Sequence, residues 1–144
     1  RLLGLNSDIT VNTYRQKLQA DNARELIAQY DIVVDGTDNA AVRYVISDVC
    51  VALGKTYVYG AICGFEGQVS VLCRGKATYR ALYPEEQELK DAHAAKAVIG
   101  VTPAIVGSVE AAQVLQLICG YGEPLIDKLW TIDLRTMQTF VIRV

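Results

Sequence analysis

The sequence has few of the features that mark several common classes of protein. Its 144 residues include 4 cysteines, and no two of them have CxxC spacing, so nothing indicates a disulfide framework. Basic and acidic residues number 14 and 16, and this net charge of −2 argues against a nucleic-acid surface or a basic membrane face. No signal-peptide pattern is present, and no uninterrupted apolar run reaches the ~18 to 20 residues of a membrane span.

The residues that are present indicate one domain with a substantial core. Half of the chain is hydrophobic (51%), and its length suits a single domain over residues 1–144. The cysteines lie in apolar segments, which favours buried, reduced thiols and a cytoplasmic protein. The chain begins at Arg1 rather than Met, in what resembles the end of a helix. We therefore expect it to be part of a longer protein.

The most informative segment is a predicted strand, turn and helix. The apolar run at Asp31–Asp35 is typical of a buried parallel strand, and a helical pattern follows the turn Gly36-Thr37-Asp38-Asn39 at once. Ligands of open α/β sheets bind at the carboxyl ends of the strands. Asp38 and Asn39 are therefore candidate functional residues. The structural alternative is that Thr37 or Asp38 caps the helix.

The first 62 residues follow a β-α-β-α-β order. Strands are predicted at Ile9–Tyr14, Asp31–Asp35 and Thr56–Ala61, and helices at Asn22–Tyr30 and Val42–Leu53, the second ended by Gly54. This order implies parallel strands joined by right-handed crossovers.

The second half of the chain has a different character. A strand is predicted at Gly67–Cys73, an exposed loop at Pro84–Lys96, and a hairpin from Leu129–Leu134 and Thr139–Val144. The segment Ala104–Cys119 is apolar nearly all round, which is typical of a helix buried in a core or in a subunit interface.

Four segments, in order, resemble one known superfamily. The run from Asp35 to Arg43 resembles the T-D-N-x-x-x-R segment of the ubiquitin-activating-enzyme superfamily. Three later runs resemble further motifs of its prokaryotic sulfur-carrier adenylyltransferases of the ThiF/MoeB/HesA type: Gly60–Val69, Tyr79–Pro84 and Gly107–Ala111. The resemblance implies an α/β, Rossmann-like domain with a mostly parallel sheet and antiparallel strands added at the C-terminal end. It also implies that this chain is the C-terminal portion, without the N-terminal nucleotide-binding half.

The resemblance also implies an activity and a set of site residues. The activity is ATP-dependent adenylation of the C-terminal glycine of a ubiquitin-like sulfur-carrier protein ending in Gly-Gly, of the thiamine or molybdopterin biosynthesis type. Asp38 would be the catalytic residue that places Mg²⁺ near ATP, and Asn39 would lie beside the nucleotide. Arg43, one helical turn on, would brace the loop or reach a phosphate, with a structural salt bridge as the alternative. A homodimer through Ala104–Cys119 is expected.

The sequence also departs from the family pattern. It contains no G-x-G-x-x-G, and the glycines of Gly60–Gly67 enter a strand rather than a helix, so this chain alone is expected to be inactive. The first cysteine pair of the family's zinc site would fall at Thr78 and Ala81, so no zinc is expected. The transfer cysteine would fall at His93, so we expect adenylation without sulfur transfer. A thiol role for Cys63 is only weakly indicated.

The sequence leaves two other functions open. One is a degenerate fragment or non-catalytic module that binds a ubiquitin-like protein, because the family's cysteines are missing. The other is half of a nicotinamide-dependent oxidoreductase, which the β-α-β-α-β order permits. The absence of a dinucleotide fingerprint makes the second much weaker.

Overall fold

A computed structural model describes residues 1–85 and 97–144 and contains a five-stranded mixed sheet. His93 and most of the loop predicted at Pro84–Lys96 lie outside the described residues. The helices are α1 (Leu2–Leu5), α2 (Ala23–Ala28), α3 (Ala40–Leu53), α4 (Tyr79–Leu82) and α5 (Val101–Cys119). The strands are β1 (Ile32–Val34), β2 (Thr56–Cys63), β3 (Glu66–Leu72), β4 (Lys128–Asp133) and β5 (Gln138–Arg143), adjacent in that order.

The pairing of the strands confirms the α/β class and the added antiparallel strands. Strand β1 is parallel to β2, whereas β2–β3, β3–β4 and β4–β5 are antiparallel. The described part of the sheet is therefore less parallel than predicted. The reason is local: β2 returns directly as β3 through Gly64, whose φ of 60° suits a tight turn, and a hairpin needs no crossover helix.

The prediction of a strand at Ile9–Tyr14 is wrong. These residues form no strand, and β1 pairs with β2 alone among the described strands. A short alternating segment is stable as a strand only when it pairs with a neighbour, so its pattern by itself is insufficient.

A cluster of tyrosines fixes α3 and α4 against one face of the sheet. Tyr79 packs edge-on against Tyr44 of α3 and Tyr59 of β2, with ring centroids 4.8 and 5.3 Å apart. Tyr57 is also fully buried on this face. Such large buried rings contribute strongly to core stability. They hold the start of α3, and therefore the turn that precedes it, in a fixed position.

Helix α5 covers the opposite face of the sheet, where it packs on β2 and β3. It begins at Val101, before the predicted Ala104, and only one side of it is buried, since Leu115 and Ile118 are 52% and 67% exposed. By length and composition this helix is apolar enough to cross a membrane, although polar residues such as Ser108 and Glu110 interrupt its apolar run. Its buried side nevertheless belongs to the core of the sheet.

Candidate functional site

The turn after β1 is built on the buried carboxylate of Asp35. One of its oxygens, Oδ1, accepts hydrogen bonds from the backbone N–H and the hydroxyl of Thr37, each at 2.8 Å. The other, Oδ2, accepts from Arg43 Nε at 2.9 Å and from the Tyr57 hydroxyl at 2.8 Å. With four donors around one carboxylate, the end of β1 is tied to the following turn, to α3 and to β2.

Arg43 supports this turn from the interior of the protein. Its side chain is buried, and Nη2 donates to the carbonyl of Thr37 at 2.5 Å and to that of Gly60 at 3.4 Å. Burial is the largest influence on the pKa of Arg43 and lowers it, but the charge of Asp35, the hydrogen bond to Asp35 and the nearby tyrosines together outweigh burial. The pKa is therefore raised, so the guanidinium stays cationic. Of the predicted roles, this geometry matches the brace and the salt bridge rather than a phosphate contact.

Asn39 caps helix α3. Its side-chain oxygen accepts hydrogen bonds from the backbone N–H of Ala41 at 2.9 Å and of Val42 at 3.3 Å. The capping alternative raised by the sequence therefore falls on Asn39, not on Thr37 or Asp38. Asn39 remains exposed at the carboxyl end of β1, so its predicted position beside a nucleotide is compatible with this capping role.

Asp38 is the exposed carboxylate of the turn. It lies between the braced Thr37 and the capping Asn39, and no described residue donates a hydrogen bond to it. Mg²⁺ in nucleotide sites is typically held by one or two carboxylates together with phosphates and water. An exposed carboxylate on a rigid turn fits that role. The structure thus brings all three predicted residues together, with Asp38 and Asn39 at the surface and Arg43 beneath them.

Replacing Asn39 with alanine is expected to lower the free energy of unfolding by about 1 kcal/mol, because two N–H groups of α3 lose their acceptor. Asn39→Ser is the matched control, since a serine hydroxyl caps a helix nearly as well. Urea unfolding of both variants checks this. Equal stability of Asn39→Ala and Asn39→Ser would contradict the capping role.

Two other predicted positions have clear local roles. Thr78, where the resemblance would place a zinc cysteine, caps α4 by accepting a hydrogen bond from Ala81 N at 3.2 Å. The absence of zinc stays a prediction. Cys63 is half-buried and lines a groove of about 260 Å³ on the sheet face opposite α5, together with Gln68 and Phe140. Burial raises the pKa of Cys50 to about 12, so that thiol is inert at neutral pH.

The sequence interpretation missed Glu110 as a feature of this region. Its side chain lies on the buried side of α5, and its carboxyl group packs against Gly60 of β2. Burial is the main cause that raises its pKa to about 7. The sequence does show a single acidic residue within an apolar helix. That pattern is equally typical of an acidic residue that faces solvent, so it does not indicate burial.

Comparison with known sequences shows extensive similarity. The model of the family described as "ThiF family" matches residues 1–144. The chain is 40% identical to the sulfur carrier protein adenylyltransferase of Thermus thermophilus, with 92% of this chain and 52% of that protein covered. It is 37% identical to the adenylyltransferase and sulfurtransferase MOCS3 of Arabidopsis thaliana, with 97% of this chain and 31% of that protein covered. The chain therefore spans only about a third to a half of these relatives.

Solved structures share the fold. The Escherichia coli protein MccB, in a structure with succinimide, matches with a TM-score of 0.83 at 19% identity, covering 99% of this chain and 45% of that one. A structure of MccB with ATP matches with a TM-score of 0.77 at 20% identity, covering 99% of this chain and 45% of that one. At this identity the likeness shows the architecture alone.

Proposed function

The chain belongs to the ThiF family, and from that membership we propose that the full-length protein adenylates the C-terminal glycine of a ubiquitin-like sulfur-carrier protein. The observation that carries the proposal is the exposed carboxylate of Asp38, on a braced turn at the carboxyl end of a parallel strand. The names of the relatives support it, since they are adenylyltransferases, one of them acting on a sulfur carrier protein. The carrier is of the thiamine or molybdopterin type.

In the proposed reaction the carrier's terminal carboxylate displaces pyrophosphate from the α-phosphate of ATP. A bound Mg²⁺ would supply the positive charge that this step needs. Asp38 is the residue that would hold the cation. Asn39 sets the direction of the turn by capping α3 and leaves the nucleotide side open. Asp35 and Arg43 hold the turn in place. The turn therefore does not have to rearrange when the carrier carboxylate approaches the phosphates of ATP.

The whole protein has further proposed properties. The phosphate-binding loop lies outside this chain, which alone would be inactive. The exposed side of α5, with Leu115 and Ile118, supports a homodimer through this helix. We also propose a cytoplasmic location, no structural zinc at Thr78 and Ala81, and sulfur transfer by another protein.

The test is ATP–pyrophosphate exchange by the full-length protein, with and without candidate carriers that end in Gly-Gly. We expect exchange that depends on both the carrier and Mg²⁺. A carrier lacking its last glycine is the matched control and should give only background exchange. Carrier binding that is indifferent to ATP, with no exchange, would contradict the proposal and favour a non-catalytic binding module.

A further inference from the structure

Glu110 is a buried acid on the side of α5 that faces the sheet. Its residue is 6% exposed, and among the described residues Oε1 has no hydrogen-bond partner. Burial without a partner is unfavourable for the charged form of a carboxyl group. A buried polar atom left unpaired in this way requires a physical explanation.

Gly60 connects Glu110 to the candidate site. A Cβ atom at Gly60 would overlap the Glu110 carboxyl group, so this group rests directly on the bare Cα of the strand. The carbonyl of the same residue accepts a hydrogen bond from Arg43 Nη2 at 3.4 Å. One residue of β2 therefore contacts Glu110 on the α5 side and Arg43 on the α3 side.

In the part of the chain that the structure describes, few charged side chains face Glu110. Helix α5 itself carries no other acidic or basic residue. The strand residues that share the face beneath it are apolar or glycine: Val58, Gly60 and Ile62 of β2, and Gly67, Val69 and Val71 of β3. Within residues 1–85 and 97–144, the charges that affect the pKa of Glu110 are those of Asp35 and Arg43. The pKa of Glu110 is raised to about 7, with burial as the largest cause; the charge of Asp35 contributes to the increase and that of Arg43 opposes it. The carboxyl group therefore changes charge near neutral pH.

We propose that Glu110 is a positioning residue that makes the turn bearing Asp38 sensitive to pH. In its neutral form Glu110 leaves Arg43 bound to Asp35 and to the turn. In its ionised form the charge of Glu110 acts on Arg43 across the backbone of Gly60, which contacts both side chains, and draws the guanidinium away from Asp35 and from the Thr37 carbonyl. The effect on reaction rate rests on the proposed adenylation, whereas the effect on stability does not.

The direction of the stability effect follows from linkage. The folded protein holds a proton on Glu110 up to a pKa of about 7, whereas the ordinary value is 4.5. The stabilising contribution of the neutral group is therefore complete below about pH 4.5 and is lost as pH rises through about 7.

The first experiment compares the full-length protein with its Glu110→Gln variant in carrier-dependent ATP–pyrophosphate exchange between about pH 6.5 and 8.5. Glutamine keeps the shape but cannot ionise. The unaltered protein should lose exchange activity relative to the variant by roughly 20-fold across this range, as the neutral fraction of a group with this pKa falls. Glu123→Gln, at an exposed position, is the control and should follow the unaltered profile. Superimposable profiles for the protein and Glu110→Gln would overturn the positioning role.

The second experiment needs no activity. Thermal unfolding between about pH 4.5 and 8 should show the unaltered protein losing stability, relative to Glu110→Gln, as pH rises toward 7. Glu110→Met, which also cannot ionise, should behave like Glu110→Gln. It replaces Glu110→Gln in this experiment if the glutamine variant folds poorly. If the unfolding temperatures of the unaltered protein and Glu110→Gln change with pH in the same way, the proposed titration of Glu110 is overturned. Diverging curves without exchange under any condition would instead contradict the proposed function alone.

Discussion

Replacing Asp38 with alanine in the full-length protein is expected to reduce carrier-dependent ATP–pyrophosphate exchange by roughly 100-fold or more, because the cation that neutralises phosphate charge loses its protein ligand. The same variant should unfold within about 0.5 kcal/mol of the unaltered protein, since Asp38 is exposed and does not cap α3. Loss of activity without loss of stability separates a site residue from a structural one.

The matched control is Asp31→Ala. Asp31 is also an exposed aspartate, but it precedes β1, at the end of the strand opposite to the candidate site. It should leave exchange activity unchanged. If Asp38→Ala keeps exchange within a few-fold of the unaltered protein, Asp38 does not hold the cation.

Replacing Asp35 with alanine is expected to lower the free energy of unfolding by about 3–5 kcal/mol, because the buried Arg43 then lacks a counter-ion. Both residues are at most 5% exposed, and Tyr57 and Thr37 lose their acceptor as well. Urea unfolding measures the loss. Asp48→Ala removes a half-exposed ion pair with Arg80 and should cost no more than about 1 kcal/mol.

A double replacement gives an independent check on this pair. Asp35→Leu together with Arg43→Leu removes both charges and should destabilise the protein less than the sum of the two single changes. Strict additivity would mean that the ion pair is not what holds the turn.

Local signals explain what the sequence could predict. The turn at Asp38 and Asn39 follows a buried strand and precedes a periodic helix, and both signals lie within a dozen residues. The burial of Arg43 was not predictable in this way, because it depends on Asp35 and on Tyr59, which come from different elements. The cap was assigned to Thr37 or Asp38 instead of Asn39 for a different reason: all three are good N-cap residues, and the sequence does not fix the residue at which α3 begins.

Longer-range features account for the misses. The alternation at Ile9–Tyr14 is a valid strand pattern, but a strand also needs a pairing partner, which no local pattern encodes. Glu110 could be recognised as buried only by knowing that Gly60 lies beneath α5. Likewise, the even apolar composition of α5 concealed which of its sides faces the sheet.

The most direct measurement is the intact mass of a Gly-Gly carrier after incubation with the full-length protein, ATP and Mg²⁺, followed by rapid acid quenching. We predict a carrier that has gained one AMP at its terminal carboxyl group, with pyrophosphate released in equal amount. An unmodified carrier accompanied by tight binding, or ADP as the product, would contradict adenylation as the function of this protein.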